Sequence, residues 1–326
     1  MIVIEPSVHH WCSNIINADK MQTILGSGGT IGTELAGILT DYTKDIRLVS
    51  RNPEKVNETD QVYAADLTNA GETMKAVEGS EVAYLTVGLP YKTRVWEKAW
   101  PLIMGNVLKA CREHGTRLVF FDNMYMYDAG SLSLMTEDNP VNPPSEKGKV
   151  RAEIAGMLMD EVEKGNVKAL IARSADFYGP DIGGSILMEG VYSKLKQGEK
   201  ANWFCSLDYQ HSFTWTPDAA KGTAILGNDP DAFDQIWHLP TAADPPAGKE
   251  WIRRFAEALE QKPKSMVAGK TVVWLMGLFN PLMRELAEML YQYDRDYVFD
   301  SSKFNKKYGY QPVSWEEGIR RIVEHP

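Results

Sequence analysis

The sequence has few of the features that point to a disulfide framework or a metal centre. Its three cysteines, Cys12, Cys111 and Cys205, lie far apart and form no paired metal-ligand spacing. Free thiols in a reducing compartment fit this pattern better than disulfides or a zinc site. We therefore expect a cytoplasmic protein without a bound metal.

Long apolar runs and an excess of positive charge are also missing. The most apolar run, Thr271 to Met283, is shorter than the ~20 residues of a membrane span and is interrupted by Gly277, Asn280 and Pro281. The net charge of −9 disfavours nucleic acid, because phosphates attract a basic face. We expect a small-molecule substrate as partner, and neither a nucleic acid nor a membrane.

What the sequence does contain is a regular alternation of segments. From Met21 onward, apolar runs of strand length alternate with longer amphipathic runs. Strands that are apolar throughout indicate a parallel sheet covered by helices on both faces. The pattern predicts an α/β, Rossmann-type doubly wound sheet over residues 21–180. A smaller α+β substrate-capping region is predicted over residues 181–326, and some of its elements are expected to return to the core. Residues 1–20 are interpreted as a leader of uncertain structure.

The expected elements follow this rhythm closely. Strands are predicted at residues 21–25, 46–49, 62–65, 82–87, 118–121, 167–172 and 235–239. Helices are predicted at residues 31–40, 67–77, 94–114, 146–163, 186–196, 217–226, 249–260 and 272–290.

A glycine turn follows the first predicted strand. Gly26, Gly29 and Gly32 form a GxxGxxG pattern at the first strand–helix junction. The first glycine permits the tight turn, the second lets a diphosphate approach the backbone, and the third lets the helix pack closely. The helix N-terminus offers N–H groups to phosphate. We expect this turn to bind a dinucleotide, through Gly26, Ser27, Gly29, Thr30, Ile31 and Gly32.

The ends of the next strands refine the choice of cofactor. Ser50 and Arg51 stand after the second strand, where an acidic residue would favour NAD. A hydroxyl and a guanidinium suit a 2′-phosphate, so NADP is favoured as cofactor and NAD stays open. The alternative interpretation of Arg51 is a solvated charge in a loop. Asp66 and Leu67 are placed to meet the adenine ring. Further along, a close approach of the cofactor is expected at Val87 and Gly88.

These segments resemble the extended short-chain dehydrogenase/reductase superfamily, within it the NAD-dependent epimerase/dehydratase family, over residues 21–326. Besides the glycine turn and the Asp66-Leu67 pair, the resemblance rests on residues 173–180 (RSADFYGP), 210–220 (QHSFTWTPDAA) and 298–318. It implies a nicotinamide dinucleotide as cofactor. It also implies that Asp176 and Tyr178 contact the nicotinamide ribose or the substrate.

The catalytic residues depart from the family pattern. The family normally has a Tyr-x-x-x-Lys pair, in which the lysine holds the nicotinamide ribose and lowers the tyrosine pKa. Here Ser145 matches the tyrosine and Lys149 matches the lysine. Asn123 stands where the family has Ser or Thr, and it can donate a hydrogen bond but does not ionise. The chain therefore resembles an atypical subgroup that lacks the usual tyrosine, with Lys149 expected as a cofactor contact.

Three side chains could rebuild the missing chemistry. Tyr125 and Tyr127 would point the same way if the fifth strand continued, whereas the family position implies that Tyr125 faces the substrate and Tyr127 packs under the loop. We expect Tyr125, near Lys149, to supply the phenol, with Asn123 beside it. His211 is a candidate general acid or substrate hydrogen-bonding group. A packed aromatic and a structural histidine are the alternative interpretations.

Two functions are compatible with these residues. The first is an NAD(P)-dependent oxidoreductase or epimerase/dehydratase-like enzyme acting on a carbonyl, alcohol or sugar-type molecule, with NADP(H) preferred. The second is a catalytically inactive NADP-sensing protein of the same fold, which Ser145 favours. A homodimer formed through the helices at 94–114 and 146–163 would be similar to family practice.

Overall fold

The computed structural model describes residues 20–180 and 182–324. Strands and helices alternate through its first half. The strands are β1 (Gln22–Leu25), β2 (Ile46–Ser50), β3 (Gln61–Ala64), β4 (Val82–Leu85), β5 (Arg117–Asn123) and β6 (Ala169–Ser174). The helices are α1 (Thr30–Leu39), α2 (Ala70–Val77), α3 (Thr93–His114) and α4 (Glu146–Glu163).

The second half has shorter strands and more helices. The strands are β7 (Asp176–Tyr178), β8 (Ala201–Phe204), β9 (Phe213–Trp215), β10 (Ile236–His238) and β11 (Ser265–Ala268). A π-helix, Ile186–Tyr192, runs into α5 (Ser193–Lys196). The remaining helices are α6 (Thr216–Asn228), α7 (Gly248–Ala258), α8 (Lys270–Gly277), α9 (Pro281–Ala287), α10 (Ser302–Tyr308) and α11 (Trp315–Glu324).

The central sheet of the described chain has seven strands in the order β10-β6-β5-β4-β1-β2-β3, and all its neighbouring strands are parallel. This confirms the predicted α/β doubly wound class. The strand order reverses between β1 and β4, where ligands bind in open sheets of this kind, at the carboxyl ends of the strands. The fold therefore places the glycine turn after β1 and the Val87–Gly88 segment after β4 at the same crevice.

Helices cover both faces of this sheet. On one face, α2, α3 and α4 bury an apolar core that includes Trp100, Ile103, Phe120, Ile154 and Leu158. On the other face, α1 and α6 pack together and bury Leu35, Leu39, Ala220 and Leu226. Because both faces are covered, every residue of β1 and β4 is buried, including the polar Gln22 and Thr23 of β1.

The C-terminal region adds two small parallel sheets, β7 with β9 and β8 with β11. Their core is aromatic, with Trp203, Phe213, Trp215, Trp251 and Phe255 buried together. None of the described helices is long and apolar enough to cross a membrane. Within the same residues, no cluster of three or more His, Cys, Asp or Glu side chains could hold a metal ion.

Candidate functional site

The turn after β1 is built from glycines that the backbone requires. Gly26 has a φ of +103°, and a Cβ there would lie 2.6 Å from the Val87 backbone nitrogen. A Cβ on Gly32 would lie 2.7 Å from the Gly26 carbonyl oxygen, so α1 packs tightly on the turn only with glycine there. The first contact brings the ends of β1 and β4 together at the point where the strand order reverses, and the second holds α1 against the turn.

The same turn leaves open space where a diphosphate would lie. A Cβ on Gly29 would meet nothing closer than the Gly26 oxygen, 4.0 Å away, and one on Gly28 would meet nothing within 4 Å. The Ser27 hydroxyl is buried and has no hydrogen-bond partner among the described residues. An open approach, an unpartnered hydroxyl and a helix N-terminus together fit the diphosphate of a dinucleotide.

The ends of β2 and β3 lie beside this turn. Ser50 is the last residue of β2 and Arg51 is exposed. The Thr68 hydroxyl and N–H both donate to Oδ1 of Asp66, at 2.7 and 2.9 Å, and the Arg51 charge is close enough to add to their effect. These groups lower the pKa of Asp66 and so keep it ionised. Because both hydrogen bonds go to Oδ1, the other carboxylate oxygen, Oδ2, can accept from an external donor. Leu67 is buried next to it.

Tyr125 lies past the end of β5, at the same edge of the sheet. Its N–H donates to the Asn123 side-chain oxygen at 3.0 Å, and no described residue accepts from the Asn123 amide nitrogen. The Tyr125 ring stacks on Trp96 at 6.3 Å, and Tyr91 lies close to the Tyr125 hydroxyl. Burial, with the Asp176 charge added, raises the Tyr125 pKa. The phenol therefore stays protonated at neutral pH and can donate a hydrogen bond.

Asp176 organises a polar cluster next to Tyr125. Its Oδ2 accepts from the Tyr293 hydroxyl at 3.1 Å and lies 3.0 Å from Nε2 of His211. The buried imidazole stacks between Tyr293 and Tyr297, at centroid distances of 4.5 and 4.2 Å. We call Asp176, His211, Tyr293 and Tyr297 the Asp176 cluster. A carboxylate on Nε2 fixes the proton there, which gives the imidazole a defined tautomer.

Tyr127 belongs to a different network, below the loop. Its hydroxyl lies 2.7 Å from Nε2 of His238 and 3.0 Å from Nη1 of Arg173, and all three side chains are buried. His238 Nδ1 lies 2.8 Å from the Asp300 carbonyl oxygen, so Nδ1 carries the proton and Nε2 accepts from Tyr127. Arg173 also pairs with Asp122, so it is a buried pairing partner in this network.

The structure does not bring Ser145 and Lys149 together at the site as a catalytic pair. Ser145 is the N-cap of α4, and its hydroxyl accepts from the Gly148 N–H at 3.1 Å. Lys149 lies on the solvent side of α4, with 59% of its side chain exposed, and its ammonium pairs with Glu146. That ion pair raises the Lys149 pKa.

Lys147, which we did not predict from the sequence, lies on the inner side of the same helix. Its side chain is fully buried, and Nζ donates to Thr93 Oγ1 at 2.8 Å, to Glu285 Oε2 at 2.6 Å and to Glu288 Oε1 at 2.7 Å. Nζ also lies 4.6 Å from the centroid of the Tyr91 ring. The ammonium is thus next to the tyrosine that contacts Tyr125. Burial opposes ionisation of Glu285, but the bonds from Lys147 and Thr93 outweigh it and lower the Glu285 pKa.

Arg151 stands four residues after Lys147 and also points inward. Its Nε donates to Asp122 Oδ1 at 2.7 Å, and its Nη2 contacts the same oxygen. The spacing of Lys147 and Arg151 equals that of the family's tyrosine and lysine, one turn of helix apart. A signal for this register was present in the buried stripe of α4, whose apolar members are Val150, Ile154, Ala155 and Leu158.

Tyr178 lies away from these groups. Its ring packs edge-on against Trp215 and Trp251 in the C-terminal core. Its hydroxyl lies 2.3 Å from where a Cβ on Gly318 would be, so it faces α11. The structure therefore brings together Asn123, Tyr125, Asp176 and His211, and it leaves Lys149 and Tyr178 outside that group.

Comparisons with known proteins agree with this fold. The model of the NAD dependent epimerase/dehydratase family matches residues 23–238 of the chain. None of the curated proteins compared with the chain matches it.

Solved structures of epimerases and dehydratases are similar across most of the chain. A UDP-glucose 4-epimerase from Thermus thermophilus in complex with NAD has a TM-score of 0.74 and 17% identity, covering 94% of this chain and 98% of its own. The epimerase Mth375 from Methanothermobacter thermautotrophicus has a TM-score of 0.76 and 12% identity, covering 94% and 91%. The dTDP-glucose 4,6-dehydratase DesIV from Streptomyces venezuelae, with NAD and TYD bound, has a TM-score of 0.73 and 16% identity, covering 93% and 96%.

Proposed function

Because the chain belongs to the NAD dependent epimerase/dehydratase family, we propose that it is an NAD(P)-dependent oxidoreductase or epimerase/dehydratase-like enzyme. Its substrate class is a carbonyl, alcohol or sugar-type small molecule, and NADP(H) is the preferred cofactor. The observation that carries this proposal is the turn of Gly26, Gly29 and Gly32, with two glycines required by close backbone contacts and the third open. Two of the structures of similar fold, the Thermus thermophilus epimerase and DesIV, were solved with NAD.

Residues around the turn would hold the cofactor in this proposal. The open backbone at Gly29 and the unpartnered Ser27 hydroxyl would meet the diphosphate, and Asp66 and Leu67 the adenine. The exposed guanidinium of Arg51 supports a 2′-phosphate, which it can bind with two parallel hydrogen bonds. When bound, the nicotinamide supplies a hydride acceptor or donor.

The chain would supply orientation and a proton path at the reacting carbon. The Asn123 amide and the protonated Tyr125 phenol would donate hydrogen bonds to a substrate oxygen. The high pKa of Tyr125 makes it a donor rather than a base. His211, with Asp176 holding its Nε2, would exchange the proton of the substrate hydroxyl.

The alternative is a catalytically inactive NADP-binding protein. Ser145 favours it, because at the position that matches the family tyrosine its hydroxyl caps α4. Lys149 favours it as well, because its ammonium faces solvent beside Glu146. Both functions require cofactor binding, and only the first requires turnover.

Calorimetry tests the cofactor site that both functions share. The full chain would be titrated with NADP⁺, NADPH, NAD⁺ and NADH, together with Gly29→Ala and the matched variant Gly37→Ala. A methyl group at Gly29 would enter the space for the diphosphate, so the affinity should fall about tenfold or more. Gly37 is an exposed glycine of α1 with nothing near its Cβ position, so its variant should bind like wild type. If none of the four nucleotides gives heat, both functions are wrong.

Turnover separates the two functions. NADPH oxidation over a panel of aldehydes and ketones, and product analysis with UDP- and dTDP-sugars, would detect the enzyme. Tight NADP(H) binding without turnover across the panel would establish the alternative.

A further inference from the structure

Helices α8 and α9 form an ordered hairpin on the surface of the C-terminal region. Gly277 ends α8, and a Cβ there would lie 3.1 Å from the Arg284 Cα, so the two helices are in close contact. Arg284 Nε donates to the Gly277 carbonyl oxygen at 3.0 Å. The Asn280 side chain accepts from the N–H groups of Leu282 and Met283 and caps α9. The tip of the hairpin is Leu278-Phe279-Asn280.

This hairpin exposes an unusual amount of apolar surface. Phe279 is 91% exposed, Trp274 61% and Leu278 55%. Of the fifteen exposed large hydrophobic residues in the described chain, nine fall within residues 266–282. Single exposed apolar residues are normal, but a concentrated patch of them marks a binding surface. The hairpin therefore has the composition of a docking element.

The charge is of one sign from residue 261 to residue 284, and Glu285, the one acidic residue of α8 and α9, pairs with the buried Lys147. Residues 261–284 contain Lys262, Lys264, Lys270 and Arg284 and no aspartate or glutamate. The whole chain has a net charge of −9, so the rest of the chain, without these four cations, has a charge of −13. Lys270 pairs with Asp294, which lies outside the segment. Lys262, Lys264 and Arg284 are exposed. The patch is thus both apolar and basic on an acidic protein.

A cleft between the two helices adds a second feature. It has a volume of about 390 Å³ and is lined by Trp274, Gly277, Leu278, Arg284 and Ala287. Its walls are mainly apolar, and Arg284 is its only charged lining residue. Such a cleft suits an amphiphile with an acyl chain and an anionic headgroup. The guanidinium of Arg284 can pair with a phosphate, and the apolar walls of the cleft can cover the acyl chain.

We propose that this hairpin docks on an anionic lipid bilayer, with the Leu278–Phe279 tip at the boundary between headgroups and acyl chains. Aromatic and leucine side chains are those that interfacial helices bury there, and flanking lysines and arginines are attracted to anionic headgroups. The expectation of no membrane partner rested on the lack of a spanning segment. A hairpin that lies on the bilayer needs no such segment.

A second copy of the chain is a poorer occupant for this surface. A symmetric dimer would place the same basic segment of each copy against the other. Like charges at a desolvated interface cost affinity, whereas an anionic bilayer gains from all of them. Charge complementarity therefore selects the lipid surface.

Vesicle sedimentation of the full chain tests the apolar part of the proposal. Vesicles of phosphatidylcholine alone are compared with vesicles that also contain phosphatidylglycerol. We expect binding to the anionic vesicles, and a loss of about tenfold for Leu278→Ser combined with Phe279→Ser, because two apolar side chains leave the interface. Leu134→Ser is the matched control, since Leu134 is 57% exposed and lies outside the hairpin. It should bind like wild type.

A charge variant tests the basic part. Lys262→Gln with Lys264→Gln should weaken binding to anionic vesicles about tenfold or more, and raised salt should do the same. Lys98→Gln with Lys109→Gln, two exposed positions of α3, should leave binding unchanged. If wild type binds neither kind of vesicle, the proposal is overturned. It is also overturned if the tip variant, Leu278→Ser with Phe279→Ser, binds anionic vesicles as well as wild type does. A dimer that the tip variant converts to monomer, without vesicle binding, would assign the surface to a second copy and overturn it too.

Discussion

His211 Nε2 lies 3.0 Å from Asp176 Oδ2. The contact joins the segment after β6 to the segment before β9, two parts of the chain 35 residues apart. The tyrosine rings on both faces of the imidazole hold it in place. This pair is therefore an acid–base arrangement with a fixed geometry beside Tyr125.

Asp176→Asn should lower kcat by a factor of roughly 10² to 10⁴, because the amide no longer holds the His211 proton as a carboxylate does. Cofactor affinity should stay near that of wild type. Steady-state turnover of a substrate found in the panel, with calorimetry of NADP(H), would measure both. Asp208→Asn is the control, since Asp208 is an exposed partner of Lys249. Unchanged kcat in Asp176→Asn would remove the pair from the mechanism.

Arg51→Ala should reduce NADP affinity about tenfold or more and leave NAD affinity unchanged, because only NADP carries the phosphate that the guanidinium would bind. Calorimetry with both nucleotides measures the ratio. Lys44→Ala, an exposed position before β2, controls for the loss of a surface charge. An equal loss for NADP and NAD would contradict the assignment of Arg51 to the 2′-phosphate.

His238 should make the folded protein sensitive to mild acid. Burial lowers its pKa from 6.5 to about 3. Between these values an unfolded chain binds a proton that the folded chain does not, so stability is retained above pH 6.5 and falls as the pH drops towards 3. The slope from this group approaches about 1.4 kcal/mol per pH unit.

Urea unfolding at a series of pH values tests the His238 prediction. His238→Gln should flatten the loss of stability between about pH 6.5 and 5, although its free energy of unfolding at neutral pH will be lower. His114→Gln, which changes a half-buried histidine elsewhere, should keep the wild-type slope. The same slope in both variants would show that His238 does not titrate as described.

Lys147→Met should destabilise the protein by roughly 3 kcal/mol, because it leaves the carboxylates of Glu285 and Glu288 without their buried cation. Lys149→Met is the matched control two residues away, and it should unfold like wild type because its partner is at the surface. Denaturant unfolding of both variants measures the difference. Equal stability of the two variants would contradict the described burial of Lys147.

Much of the fold could be predicted from local patterns. The helix predicted at residues 146–163 has the same bounds as α4, because Ser145 is a strong N-cap and the apolar positions recur with helical spacing. The strands of the central sheet were predicted to within a few residues, because short apolar runs stand out between the amphipathic helical segments. Strands β7, β8, β9 and β11 were not predicted, because they lie in two small sheets outside the regular alternation of strands and helices.

The helix predicted at residues 272–290 is wrong as one element. Asn280 and Pro281 divide it, since Asn280 caps α9 and proline at the first helical position needs no N–H partner. The sequence carried this signal, but a continuous apolar pattern concealed it. The hairpin follows from that break, and with it the exposure of Phe279, the highest among the large hydrophobic residues that the structure describes.

The site was predicted in outline but not in its register on α4. The match to the family pattern selected Ser145 and Lys149, yet a step of two residues turns a side chain by about 200° around a helix. Lys147 and Arg151 therefore share the buried face, and Lys149 faces solvent. The alternation argument for Tyr125 and Tyr127 did not apply, because β5 ends at Asn123.

The exposed tip of the α8–α9 hairpin also affects how the protein must be handled. Phe279 stands six residues before Glu285, the carboxylate that holds the Lys147 ammonium beside Tyr91. If the tip docks on lipid as proposed, a detergent or lipid carried over from cell extraction would bind six residues along the chain from this contact. Kinetic constants from different preparations become comparable only once each has been assayed for bound amphiphile.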